Sequence, residues 1–134
     1  MDTFDDIQQS YGRCLRADDN FVGLFYRKLL ARDERIRAMF ESTDWERQQK
    51  AVRRGISLMI TFAGTPAIAR RQVAEIAAMH SRKGHAPVPP ELYPHWIESL
   101  IEAAGETDPK FDQQLEQRWR EAIRPGIDLF IAEY

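Results

Sequence analysis

Apolar residues recur at steps of three and four along almost the whole chain, and no stretch alternates as a half-buried strand would. Phe4, Ile7, Tyr11, Cys14 and Leu15 share one face of a first helix that Thr3 can cap. Asp18 and Asp19 mark the start of a second, more apolar helix carrying Phe21, Val22, Leu24, Phe25, Tyr26, Leu29 and Leu30. Asp33 opens a short third with Ile36, Met39 and Phe40. Thr43 and Glu46 read as a capping box for a helix running to about Ala63, with Gly64 as its stop. Thr65 and Pro66 begin the next helix, and Gly84 closes it. Pro87, Pro89 and Pro90 keep the connection extended before a helix defined by Leu92, Tyr93, Trp96, Ile97, Leu100 and Ile101, ending near Gly105. Asp108 and Pro109 start the last helix, where Pro125 and Gly126 predict a kink before Ile127, Phe130 and Ile131. No repeat, low-complexity tract or linker interrupts this series, so residues 1–134 read as a single all-α domain.

Composition narrows the functions open to such a bundle. With 134 residues, 43% of them apolar, the chain can bury a core without metal or disulfide staples. Nineteen basic against 21 acidic residues leave a net charge of −2, without the basic footprint of nucleic-acid or anionic-membrane binding. The single Cys14 forms no internal disulfide. Asp2, Asp5 and Asp6 stand where a secretory signal needs positive charge, and no apolar run reaches spanning length. The expectation is a cytoplasmic protein that neither crosses nor coats a membrane.

His80 is the residue with the most distinctive surroundings. It falls on the same helical face as Val73 and Ile76, while Arg70, Arg71, Gln72 and Glu75 occupy the others, so the imidazole ends a buried stripe. Such a histidine is either a core residue with one satisfied hydrogen bond or a metal ligand. The other two histidines have poorer settings. His85 lies between Gly84 and Pro87 in a predicted loop, and His95 adjoins Pro94 beside the apolar face of Tyr93, Trp96 and Ile97.

The segment FYRKLL, with RAMF ending fourteen residues after its tyrosine, followed by TDWERQ, AAMHSRKG and PELYPHWIESL, resembles the bacterial single-domain globins and the globin part of flavohaemoglobins. The resemblance extends over nearly the whole chain. The connection between His80 and Tyr93 is a few residues longer than in flavohaemoglobins, and the region between the distal and proximal helices is correspondingly shorter. What the resemblance implies is a globin fold, a three-over-three helical sandwich around a pocket for haem b.

The same resemblance implies roles for individual residues. His80 is the proximal iron ligand, with the carbonyl of Ile76, about one turn back, as acceptor for its other nitrogen. Tyr26 is the distal hydrogen-bond donor to a bound gas, its ring packed beside Phe25, and Gln48 both donates to the ligand and accepts from Tyr26. Helix phase favours Gln48 as the distal residue, because Val52, Ile56, Met59 and Ala63 follow it at helical spacing. A gap-free count from Phe40 favours Lys50, so both stand. Phe40 packs flat on the porphyrin, Val52 limits the space over the iron, and Val73, Ile76, Val88 and Tyr93 fill the proximal side. Arg47, Arg82, Lys83 and His85 are candidates to pair with haem propionates, and Trp45 covers the haem edge or staples the corner.

Two donors converging on bound oxygen slow its release, which suits nitric oxide dioxygenation or gas sensing better than carriage. The expected partners are O2, NO and CO, with an external reductase for sustained turnover, since the chain has no glycine-rich dinucleotide motif. Monomer and homodimer are both open. The alternative is a haem-free globin fold serving as a regulatory or interaction module, in which His80 and Gln48 only pack or face solvent.

Overall fold

The computed structural model describes residues 2–17 and 20–134. Asp18 and Asp19, read above as a helix start, lie outside the described residues. Seven α-helices follow one another: α1 (Asp5–Ala17), α2 (Phe21–Leu30), α3 (Glu34–Met39), α4 (Trp45–Gly64), α5 (Pro66–Met79), α6 (Tyr93–Thr107) and α7 (Gln113–Ala132), with a 3₁₀ turn at Pro90–Leu92 before α6. No strand occurs among the described residues, and none of the described helices is long and apolar enough to cross a membrane. The architecture is an all-α bundle. Within it α4 packs along α5 and α7, and α2 along α6.

Several helix ends differ from the sequence expectation, each for a local reason. Asp2 rather than Thr3 supplies the side-chain acceptor at the first turn, taking the Phe4 N–H at 3.0 Å. Asp44, not Thr43, caps α4 by accepting from the Arg47 N–H at 3.3 Å, which moves the helix start one residue on and removes the capping box with Glu46. Thr65 turns its hydroxyl back to the Thr61 carbonyl at 3.2 Å instead of capping α5, which is started by Pro66 alone. Helix α5 stops at Met79, five residues before Gly84. Helix α6 runs past Gly105 to Thr107. The last helix begins after Asp112, whose carboxylate accepts the Leu115 N–H at 2.8 Å, and it passes through Pro125 as one element.

Asp108 has a different task from the predicted helix start. Its buried carboxylate accepts from Ser10 Oγ at 2.6 Å and from Arg13 Nε at 2.7 Å, and Trp119 Nε1 donates to the same serine at 2.9 Å. A polar hub thus ties α1 to the end of α6 and the middle of α7. Around it the fully buried Trp119, Phe21, Phe25, Ile60 and Leu100 form the core. At the α4–α7 crossing, a Cβ on Gly126 would fall 3.1 Å from Met59 Cγ, so glycine sets how closely these two helices approach.

Candidate functional site

Helices α4 and α5 meet at Thr65. Gln48 lies seventeen residues before that corner and His80 fifteen after it. At a rise of about 1.5 Å per residue, both sit more than 20 Å out along their arms. There α4 meets α2, and the end of α5 meets α7.

His80 is the residue at which α5 ends, with φ −90° and ψ 1°. Its backbone N–H donates to Ile76 O at 3.0 Å, so that carbonyl completes the last helical turn and is not the partner of the ring. The ring Nδ1 instead lies 2.9 Å from Ala86 O, six residues on. A carbonyl only accepts, so the ring proton sits on Nδ1 and Nε2 carries a lone pair. No hydrogen bond occupies Nε2 among the described residues. The segment after the helix is folded tightly enough to hold this geometry. Ala86 N–H donates to Met79 O at 3.1 Å, Val88 N–H to His80 O at 3.0 Å, and Gly84 N–H to Ser81 O at 2.9 Å. Gly84 is needed for that fold, because a Cβ there would collide with the Met79 and Ala78 carbonyls. Burial holds the imidazole below the usual histidine value, against the opposing pull of Ala86 O, so the ring is neutral at neutral pH.

On the other arm, Gln48 Nε2 donates to Tyr26 Oη at 2.9 Å, the reverse of the expected direction. The tyrosine hydroxyl is therefore an acceptor in this bond, and its own proton has no acceptor among the described residues. Burial pushes the phenol up to about 12, outweighing the Gln48 bond, so Tyr26 stays a donor. Its ring is fixed by Phe25, Phe40 and Trp45 at centroid distances of 5.0, 5.5 and 5.0 Å, and Phe40 stacks on Trp45 with an interplanar angle of 20°.

Val73 and Tyr93 are buried, and Phe40, Val52, Ile76 and Val88 are partly buried against the same core. Tyr93 Oη is buried without a hydrogen-bond partner among the described residues. No group of three His, Cys, Asp or Glu side chains among the described residues could cage a metal ion. A single imidazole nitrogen therefore suits a metal that arrives with most of its coordination filled, as iron in a porphyrin does.

A solved structure from Pseudomonas aeruginosa, described as structurally highly homologous to a human hemoglobin, matches 99% of this chain and 98% of its own at a TM-score of 0.92 and 32% identity. The chain belongs to the globins. No protein-family model matches this globin, and no curated protein does.

The globin's remaining candidates fall elsewhere. Lys50 is 76% exposed and reaches toward Glu46, so Gln48 is the α4 residue that meets Tyr26. His95 lies 3.6 Å from the Asp33 carboxylate, and His85 is exposed. Arg82 lies over the Tyr134 ring at 4.9 Å, while Arg47 and Lys83 are exposed. Phe130 was not singled out by sequence. Its ring stands 6.1 Å from His80 and 5.9 Å from Tyr93, forming the wall between them. Its place on the Ile123–Ile127–Phe130 stripe of α7 marks it as core, and nothing in that stripe marks it as a neighbour of His80.

Proposed function

We propose that this globin binds haem b through His80 Nε2 and holds O2, NO or CO on the side of Tyr26 and Gln48. The observation that carries the reading is the His80–Ala86 bond, which fixes the tautomer that leaves Nε2 available. Haem, when bound, supplies the iron at which a diatomic gas is held. The chain supplies the rest. Ala86 O orients the imidazole, Tyr26 keeps a proton at Oη for the gas, and Gln48 holds that hydroxyl in place. Phe25, Phe40, Val52, Val73, Ile76, Val88 and Tyr93 make the apolar walls that exclude water. A donor arrangement of this kind favours retention over carriage, which suits nitric oxide dioxygenation with electrons from a separate reductase, or gas sensing. A cytoplasmic location goes with this reading, in which the one cysteine, Cys14, is buried and free.

The test is a titration of haem into the purified protein. A Soret band saturating at one haem per chain, and shifting when the reduced form meets carbon monoxide, supports the reading. Haem that stays in its free-solution spectrum overturns it.

A further inference from the structure

On the far side of α4 from Gln48, that helix and α1 flank a groove of about 520 Å³. Lys50 and Ser57 line it, and a period of about 3.6 residues sets both opposite Gln48. The floor is apolar, made by the buried Tyr11 and the half-buried Leu15 and Leu58. Tyr11 already donates its hydroxyl to Arg53 O at 2.8 Å, so it has no proton left for a ligand. The rim is cationic. Lys50, Arg53 and Arg54 line it from α4, no carboxylate does so among the described residues, and Arg16 folds back along α1 beside Gly12. Arg13, Arg32, Arg118 and Arg120 each reach a carboxylate elsewhere in the fold. Arg16, Arg53 and Arg54 reach none among the described residues, and Lys50 has only Glu46, at 3.6 Å. In a chain of net charge −2, this groove concentrates positive charge that nothing neutralises.

Gly12 is a second, independent sign of a ligand seat. It stands in the interior of α1, where glycine is the poorest helix former short of proline. Internal packing does not require it, because the nearest atoms a Cβ would meet there belong to the flexible end of Arg16, at 3.1 Å. Its effect is to leave the backbone of α1 bare along the groove. A neutral apolar molecule would leave the guanidinium groups unanswered, and a small inorganic anion would leave the apolar floor uncovered. A bilayer surface needs a broad apolar face to sink into, whereas Leu15 and Leu58 are recessed between two helices. We infer that the groove binds a free long-chain carboxylate, with its head among Arg16, Arg53 and Arg54 and its alkyl chain over Gly12 along Tyr11, Leu15 and Leu58. From Lys50 to Leu58 the helix offers about 12 Å for that chain.

Isothermal titration of octanoate, decanoate and dodecanoate, each kept below its micelle-forming concentration, tests the proposal with and without saturating haem. Circular dichroism checks that each variant keeps its helices. One carboxylate should bind per chain, equally in both conditions, with affinity rising up to about fourfold per added methylene. Uncharged decanol should bind more weakly than decanoate by about tenfold or more, and so should decanoate to the double variant R53E/R54E. Gly12→Leu should abolish binding by filling the floor while holding or raising the melting temperature, since leucine favours the helix. Phosphatidylglycerol vesicles should not retain the protein on sedimentation. A wild type that binds none of the three carboxylates overturns the proposal, whether or not vesicles retain it. So does binding that haem displaces, or binding that R53E/R54E leaves intact.

Discussion

The amide of Gln48 on α4 donates to the hydroxyl of Tyr26 on α2 at 2.9 Å, so a buried phenol whose own proton has no acceptor among the described residues is aimed by a residue on another helix. Tyr26→Phe removes that proton and leaves the ring among Phe25, Phe40 and Trp45. Hydrogen bonds to a charged acceptor contribute about 1.5–3 kcal/mol, so oxygen release should quicken by roughly 10- to 100-fold. Gln48→Leu should quicken it less, and the double variant should match Tyr26→Phe, because Gln48 acts through the hydroxyl. Stopped-flow displacement of oxygen by carbon monoxide measures all three.

Gly84 holds the surroundings of His80 in a comparable way. Gly84→Ala forces a methyl against the Met79 and Ala78 carbonyls, displacing the turn that carries Ala86 O and with it the His80 ring. Haem should dissociate about tenfold faster, as is usual when the outer partner of a metal ligand is lost. Transfer of haem to an excess of an apo-globin acceptor reads this directly, and the helix content should be unchanged.

Asp108 is a stability element with a definite pH signature. Burial alone would raise its pKa, but the bonds from Arg13, Ser10 and the Lys110 N–H prevail and hold it below 3.8. The folded protein therefore favours the ionised form more than the unfolded chain does. Its contribution is complete well above pH 3.8 and is lost as pH falls through the lower folded value. Asp108→Ala leaves Arg13 and Ser10 without their acceptor and should cost about 3 kcal/mol at pH 7 in urea unfolding. The gap between wild type and variant should close as the pH drops through that range.

The Gly126–Met59 approach predicts a graded response. Gly126→Ala gains about 1 kcal/mol of helix propensity and meets the flexible Met59 side chain, so its net effect on melting should be small. Gly126→Val adds bulk that methionine cannot clear and should destabilise by about 1–3 kcal/mol. Equal effects for the two substitutions would contradict the packing described.

Much of the fold is legible in the sequence because helix faces and capping residues are local signals. The apolar stripes of α1, α2, α4, α6 and α7 survive as the core, and Pro66 begins α5 as read. The errors lie where a residue type has two uses. Thr43 and Asp44 are adjacent cap formers, and only the backbone path decides between them. Gly84 reads as a helix stop but is required by a loop folding back under α5. Asp108 reads as a helix start, yet its partners Ser10 and Arg13 are almost the whole chain away. The site shows the same division. Phase and resemblance bring His80, Tyr26 and Gln48 forward as candidates, and the fold joins Tyr26 to Gln48, whereas the acceptor for His80 comes from a loop whose path no periodicity encodes.

The most direct measurement compares absorption spectra of the wild type and His80→Ala, each supplied with haem, in the ferric, ferrous and ferrous-carbonyl states. The account predicts a sharp Soret band and a histidine-type carbonyl spectrum for the wild type. The variant should lose haem or change that spectrum, and added imidazole should restore it. A variant indistinguishable from the wild type would contradict the assignment of His80 Nε2 to the iron.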